Sequence, residues 1–327
     1  MFKTRLLFII FNFCSLLIVA QKSEGTYEIV RQNTDNKFLA FSIIPVKLLV
    51  SGSRFDLSAD ADLKVYLKGL FINTNVNYSY LNIAPTLSDG LIFAESKSIN
   101  NAKNFDINVG YFFEKKVNDN VRIKLANIGT SMMPGEKYTL IKADYTKFKG
   151  IQGGVKKGNT TLILSEGLSG GYKVTYADSS NQSSYDATSP SVTNLHYTWI
   201  SFGGSIGNTK DIEVVFSKYG KRRVTEISRF YFNVIYVLYS RVDDIYEIQT
   251  TNSPSGQSQA SGSRYIIDKS ILSNAGLNIG YEFTNNRKFG DSFGIECGLL
   301  PGQKNVLSNI YLSVKYGVAI GAFFNKQ

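Results

Sequence analysis

Residues 310–324 read IYLSVKYGVAIGAFF, and apolar side chains alternate here with mostly small or polar ones. One face is apolar throughout and carries Ile310, Leu312, Val314, Tyr316, Val318, Ile320, Ala322 and Phe324. The other face includes Ser313, Lys315 and Gly317. Because successive side chains of a β-strand point to opposite faces, this period of two predicts a strand with two chemically different sides.

The same alternation recurs along the chain. It is clear in five further segments, at 105–113, 121–126, 200–206, 277–284 and 293–299. No long segment shows the 3.6-residue period of an amphipathic helix. The sequence therefore predicts an all-β chain.

Alternation fits a soluble β-sandwich as well as a transmembrane barrel, and three features favour the barrel. The chain has 20 Tyr and 22 Phe, and those on the apolar faces suit aromatic girdles at the two membrane interfaces. The opposite faces are rich in Gly, Ser and Asn, which suits a polar lumen. Only 6 prolines occur, and Pro134, Pro190, Pro254 and Pro301 fall in predicted loops. A soluble exported β-protein stays open as the alternative.

The N-terminus predicts export. Lys3 and Arg5 precede a run from Leu6 to Ala20 that is apolar apart from Asn12 and Ser15. This pattern predicts a signal peptide at 1–20, and the run is too short to span a bilayer as a helix. Cleavage would remove Cys14 and leave a single cysteine, Cys297, so we expect no intramolecular disulfide in the remaining domain, 21–327.

This pattern of two-residue alternation and turns resembles the outer-membrane β-barrel superfamily of Gram-negative bacteria, over essentially all of 21–327. The resemblance implies a single antiparallel transmembrane β-barrel in the cell outer membrane. Members commonly end on an aromatic residue, whereas here Phe323 and Phe324 are followed by Asn325, Lys326 and Gln327. At roughly 20 residues for each strand and its turns, we expect about 14 strands, with 12 to 16 as the range.

Two long polar segments, 178–194 and 251–263, are predicted to be exposed loops. We count four strands between them, with a tight turn at Asp243 and Asp244, and three strands after the second. Each crossing reverses the chain, so both loops are expected on the extracellular side and the C-terminus on the other.

The formal charge of +10 bears on the expected partners; removal of Lys3 and Arg5 lowers it by two, to +8. Outer-membrane lipid is the expected partner, with lipopolysaccharide as a further candidate. Nucleic acid is not expected, because Lys and Arg are spread along the chain. The strand count places one basic cluster in an outer loop, where it would contact lipopolysaccharide phosphate or water, namely Lys218, Lys221, Arg222 and Arg223.

Few residues point to chemistry, so we predict no enzyme, no metal site and no cofactor. His196 is the only histidine, and Tyr197 and Trp199 beside it are predicted to be membrane-interface residues. The segment 153–161, GGVKKGNTT, lacks the lysine of a phosphate loop and is predicted to be a hairpin turn. Asp56, Asp60 and Asp62 lack the spacing of a calcium loop and are predicted to form a solvated turn. Cys297 shares an apolar face and is predicted to be inert.

The function expected from these features is a porin-like or transport role for an unknown solute. Charged residues on the polar faces would then line the lumen and set its selectivity, namely Asp106, Arg122, Lys124, Glu282, Glu296 and Lys315. The alternative is an adhesion or scaffold barrel with a blocked lumen. The sequence leaves the oligomeric state open.

Overall fold

A computed structural model gives the fold of this 327-residue chain. It describes residues 27–32, 37–51, 55–67, 69–86, 90–92, 102–126, 138–164, 172–176, 184–187, 191–216, 220–243, 245–252, 258–267, 272–285, 289–302 and 309–323. The predicted signal peptide at 1–20 lies outside these ranges. In the described part, no helix is long and apolar enough to cross a membrane.

The described ranges contain sixteen strands, which confirms the all-β prediction. They are β1 (Tyr27–Gln32), β2 (Phe38–Ser51), β3 (Phe55–Leu67), β4 (Leu70–Thr86), β5 (Gly90–Ile92), β6 (Lys103–Ala126), β7 (Tyr138–Leu164), β8 (Tyr172–Tyr176), β9 (Ser184–Ala187), β10 (Ser191–Phe216), β11 (Gly220–Val242), β12 (Ile245–Asn252), β13 (Ser258–Ile267), β14 (Ala275–Asn285), β15 (Gly290–Leu299) and β16 (Ile310–Phe323).

Ten strands among the described residues form a closed antiparallel barrel. Their order is β2-β3-β4-β6-β7-β10-β11-β14-β15-β16, and β16 pairs with β2 to close the cycle, from Tyr311 opposite Ser51 to Phe323 opposite Phe38. Two strands lie outside the cycle, because β1 pairs with β10 and β5 pairs with β4. Closure leaves no free edge in the cycle, so the backbone groups of each barrel strand find partners on both sides.

The chain divides into two compact units. Among the described residues, the first comprises 27–32, 116–126, 138–147, 209–216 and 220–225, and so contains β1 and parts of β6, β7, β10 and β11. Its buried core is formed by Ile141, Ala143, Ile212, Val214, Phe216 and Val224, with Tyr27 and Ile29 packed against it. The second comprises the described residues within 35–115, 148–208 and 226–327, and every strand of the closed cycle contributes to it.

Alternation sorts the side chains of the second unit into an outward and an inward face. On β16, Leu312, Val318 and Ile320 are exposed, whereas Tyr311 and Ser313 are buried. On β6, the outward side chains are the apolar ones that the sequence placed together, namely Phe105, Ile107, Val109, Tyr111 and Phe113. The outer wall of this unit is therefore apolar, and its polar side chains point into the lumen, the space that the ten strands enclose.

Pro45 and Gly69 each lie at an irregular point of the barrel strands. Pro45 lies in β2 where the pairing with β3 shifts between Ile44 and Lys47, and a bulge tolerates a residue that has no backbone N–H to donate. Gly69 lies in the short turn between β3 and β4 with φ of 100°. Side chains are strongly disfavoured at such a φ, so glycine suits this turn.

The prediction of about 14 strands is not confirmed, since the described part has ten in the barrel. The estimate assumed strands of about ten residues, whereas β6, β7, β10 and β11 have 24, 27, 26 and 23 residues. The segments 195–206 and 211–218 were counted as separate strands, but β10 runs continuously through most of both. The predicted hairpin turn at 153–161 is wrong too, because these residues lie inside β7.

The two long polar segments are partly strands. β9 lies in the first, and in the second the ends of β12 and β13 pair with each other, with Thr251 opposite Gln259. With β8 they form a separate four-stranded sheet in the order β12-β13-β8-β9. β11 ends at Val242 and β12 begins at Ile245, so two strands meet near Asp243 as predicted. β12 joins this sheet, however, instead of returning along the barrel.

The two long segments lie at the same end of the barrel, as predicted, although the number of strands between them differs. In the part of the chain that the structure describes, two strands, β10 and β11, cross the barrel between the two long segments where four were expected, and both numbers are even. Both segments therefore join the same end of the barrel. Three barrel strands follow, β14, β15 and β16, as expected.

Candidate functional site

A ladder of acidic and amide side chains lines one wall of the lumen, between β3 and β4. Asn75 donates to Asp60 at 3.2 Å and also to Asp62, and Asn77 donates to Ser58 at 2.8 Å and to Asp60. Asp56, Asp60 and Asp62 are all buried side chains of β3, so the predicted solvated turn is wrong. Their alternation along β3 places them inward.

Across the lumen, one carboxylate gathers three cations. Glu282 of β14 accepts from Arg229 Nη2 at 2.9 Å and from Lys315 Nζ at 3.1 Å, and it lies 3.4 Å from Lys64 Nζ. Lys315 also donates to Asp62 at 3.1 Å. The network joins β3, β11, β14 and β16, so it ties opposite walls of the barrel together through charge-assisted hydrogen bonds.

A relay of amide side chains continues from Arg229. Its Nη1 donates to Gln152 Oε1 at 3.0 Å, Gln152 Nε2 donates to Asn233 Oδ1 at 2.7 Å, and Asn233 Nδ2 donates to Asn278 Oδ1 at 3.0 Å. Asn278 Nδ2 then donates to Glu296 Oε2 at 3.0 Å. Every link runs in the same direction, from a guanidinium to a carboxylate, so each amide serves as both acceptor and donor.

Two tyrosines complete the surroundings of Glu296. Tyr231 and Tyr311 donate their hydroxyls to its two carboxylate oxygens at 2.5 and 2.6 Å. Gly280 makes room for the Tyr231 ring, because a Cβ there would lie 2.3 Å from its Cζ. Three hydrogen-bond donors thus compensate the Glu296 carboxylate for its loss of contact with bulk water.

An aromatic cluster fills another level of the lumen. Phe38, Tyr66, Phe71, Phe112 and Phe148 pack together, with centroids 4.1 Å apart for Phe38 and Tyr66 and 4.1 Å apart for Phe112 and Phe148. The guanidinium carbon of Arg229 lies 4.0 Å from the Phe71 ring centroid, so this aromatic cluster lies directly against the ion network.

Beside these groups lies a cavity of about 100 Å³. Eight charged side chains contribute to its wall, namely Lys47, Asp60, Asp106, Lys156, Arg229, Glu282, Glu296 and Lys315. Amide side chains and Trp199 complete much of the remainder. A polar cavity of this size holds several water molecules or one small solute.

The structure brings four of the six predicted lumen residues together, because Asp106, Glu282, Glu296 and Lys315 all line this cavity. Arg122 and Lys124 lie in β6, but their side chains are outside the described part. Sequence reasoning did not single out Arg229, Gln152 or Asn233. The alternation of polar and apolar residues in β11 carries the signal that would have found two of them.

The basic cluster differs from its prediction. Lys221, Arg222 and Arg223 lie in β11 and not in a loop, while Lys218 falls outside the described residues. Within the first unit, Arg223 donates to both carboxylate oxygens of Asp211, at 3.1 and 3.3 Å, and Lys221 pairs with Glu213. Acidic partners on β10 thus neutralise two of the cations that were expected to meet phosphate.

His196 pairs with Asp243, at 3.0 Å between Nε2 and Oδ2. Tyr197 and Trp199 are not membrane-interface residues, because both are buried on the inward face and their rings stack with centroids 3.9 Å apart. In the described ranges, no group of three or more His, Cys, Asp or Glu side chains could hold a metal ion. Cys297 is exposed on the outward face.

Comparison with known proteins gives only distant structural likeness. No protein-family model and no curated protein matches the chain. A deltaS2 mutant of the TodX monoaromatic hydrocarbon channel is 11% identical with a TM-score of 0.21, over 93% of this chain and 91% of that chain. The P. putida toluene transporter TodX is 10% identical with a TM-score of 0.16 over the same shares. A mutant porin of Rh. blastica is 10% identical with a TM-score of 0.14, over 91% and 100%.

These solved structures are outer-membrane β-barrels. This chain is a closed antiparallel β-barrel too. TM-scores this low carry no argument about function, so any function rests on the residues of the chain itself.

Proposed function

We propose that this protein is an outer-membrane β-barrel that carries small polar solutes through a lumen closed at rest by its own side chains. The outward face supports membrane embedding. Exposed apolar side chains follow one another along β2, β6, β11 and β16, and a soluble monomer rarely exposes apolar surface on this scale. Hydrocarbon would cover it.

The observation that carries the transport role is the charged wall of the cavity. Burying so many ionisable groups costs free energy, and apolar packing of the same volume is often at least as stable. Charged residues within a membrane-spanning protein therefore mark a solute or ion path as the default hypothesis.

The aromatic cluster and the ion network support a closed resting state. A barrel of eight strands has an interior just wide enough to be filled by side chains, whereas porins of 16 to 18 strands leave an aqueous channel. Ten strands lie near the narrow end of that range. Passage would require these side chains to rearrange, and only small solutes would fit.

Membrane location is tested by fractionation followed by a heat-modifiability gel. A folded barrel should stay with the outer membrane and migrate differently before and after boiling. Recovery in the soluble periplasmic fraction without detergent would contradict membrane embedding.

Transport is tested by swelling of proteoliposomes that contain the full chain. We expect entry of a solute of glycine size and exclusion of a trisaccharide. The double variant Phe112→Ala with Phe148→Ala removes two rings of the aromatic cluster and should speed entry, while Phe113→Ala on the outward face of β6 is the matched control. No entry of any small solute through the native chain or the double variant would refute the transport role.

A second candidate is a scaffold barrel with a permanently blocked lumen. The four-stranded sheet favours it, because both long segments at one end of the barrel contribute strands to that sheet. Deletion of 253–257, between β12 and β13, would then abolish binding of cells that carry the protein to a surface and leave solute entry unchanged. The absence of enzymatic activity stays a prediction.

A further inference from the structure

Two buried polar atoms in the cavity wall have no hydrogen-bond partner. Asn73 Oδ1 is an acceptor without a donor, and Arg229 Nε is a donor without an acceptor. Both side chains line the cavity and are more than nine-tenths buried, with 6% and 4% of their surface exposed. Unsatisfied buried groups of this kind are costly, so each one calls for a partner that enters the cavity.

Asp106 and Lys156 also line this cavity, and their opposite charges are not paired with each other. A Cβ on Gly154 would touch Asn108, and a Cβ on Gly158 would touch Asn104, so the two-residue period places Lys156 opposite Asp106 across β6 and β7. Asp106 accepts from Asn108 at 2.8 Å, and Lys156 Nζ lies 5.4 Å from the Trp199 ring centroid. No ion pair joins the two side chains, both of which are described.

The charges around the cavity restrict the ligand class. Four cationic and four anionic side chains line it, so their formal charges cancel. A singly charged ligand would leave a net charge among these side chains, whereas a ligand with one charge of each sign would keep the balance. The groups with spare capacity match this requirement, since Asp106 and Asn73 offer acceptors while Lys156 and Arg229 offer donors.

We propose that this cavity binds a small zwitterion of amino-acid size, with its ammonium group at Asp106 and Asn73 and its carboxylate at Lys156 and Arg229. The inference rests on the proposed transport function for its biological meaning, and it names the substrate class of that lumen. The volume of about 100 Å³ is enough for a molecule of several non-hydrogen atoms, such as glycine.

The test is isothermal titration of the full chain, folded in detergent, with four small probes that differ in charge. Glycine carries both charges, acetate and methylammonium each carry one, and acetamide carries none. We expect glycine to bind at least tenfold more tightly than the other three. Equal affinity for acetate or methylammonium would overturn the zwitterion class, and no binding of glycine would mean that the cavity holds water only.

Variants locate the site. Asp106→Asn and Lys156→Met remove a charge with little change in side-chain size and should each weaken glycine binding at least tenfold, whereas Asp291→Asn, on the exposed face of β15, should leave it unchanged. Heat-modifiability gels confirm that each variant is folded. Undiminished glycine binding in the Asp106 and Lys156 variants would refute the assignment.

Proteoliposome entry of glycine, measured in parallel, separates the two proposals. Binding without entry would refute transport and leave the binding site standing. Entry without saturable binding would support transport and refute the site.

Discussion

Replacing Glu282 with glutamine tests the luminal ion network at its centre. The Glu282 side chain is 9% exposed, and Lys64 and Arg229 beside it are each 4% exposed. Glutamine keeps the size and removes the charge, so Lys64 and Arg229 would lose their shared counter-ion. Breaking a buried ion pair by removing one partner costs about 3 to 5 kcal/mol, and we expect a loss of unfolding free energy in that range.

Guanidinium unfolding of the detergent-folded chain gives the measurement. Trp199 is the only tryptophan in the chain and is buried in the lumen, so its fluorescence reports on the state of the barrel interior. Asp291→Asn is the matched control, since Asp291 is an exposed carboxylate that accepts from Tyr316 at 3.0 Å. Its removal should change stability little.

A double-mutant cycle with Lys64→Met separates the ion pair from other effects of the substitution. Residues in one hydrogen-bonded network show coupling energies of about 0.5 to 3 kcal/mol, and we expect a value in this range for Glu282 and Lys64. If Glu282→Gln cost no more stability than Asp291→Asn, and the cycle gave no coupling, the network would not hold the barrel walls together.

Three further predictions concern the wall and its turns. Val318→Arg on the outward face should destabilise the barrel in lipid by about 2 to 4 kcal/mol if residue 318 lies near the bilayer midplane. Val318→Leu is the control, and equal stability of the two variants would contradict lipid exposure. Gly69→Ala should lower the unfolding free energy by about 1 to 2 kcal/mol, because Gly69 has a positive φ. Gly204→Ala is the control, since a Cβ there would meet nothing closer than 3.7 Å, and thermal melting compares the two variants. Gly294→Ala should displace Lys315, whose Cε would lie 2.6 Å from the new Cβ, and so lower the unfolding midpoint; an unchanged midpoint would show that Lys315 moves freely.

The sequence located the faces of the strands well and their ends poorly. Alternation in β6, β14, β15 and β16 identified the outward side chains, since the direction of a side chain in a strand depends only on its position along that strand. Strand ends depend on where hydrogen-bonded partners stop, and β7 and β10 continue through glycine-rich stretches that suggested turns. The count of 14 strands failed for this reason.

The sequence predicted some residues of the candidate site but not their contacts. Glu282 and Lys315 were placed on polar faces by alternation alone, but nothing local indicates that they pair with each other or that Lys315 also contacts Asp62, which lies 253 residues from it in the chain. The carboxylates of β3 were assigned to a turn because their spacing was compared with a calcium loop. The same residues alternate with Leu57, Ala59 and Ala61, and this period of two was the signal for a buried wall.

The sequence by itself determined that the chain is all-β and that its strands have one apolar and one polar face, because both properties follow from a two-residue period that each strand carries alone. Only the tertiary structure decided the number of barrel strands, the burial of Tyr197 and Trp199, and the meeting of Lys64, Arg229 and Lys315 at one carboxylate. Closure of the barrel fixes the register of every strand against two neighbours, and register determines which inward side chains meet across the lumen.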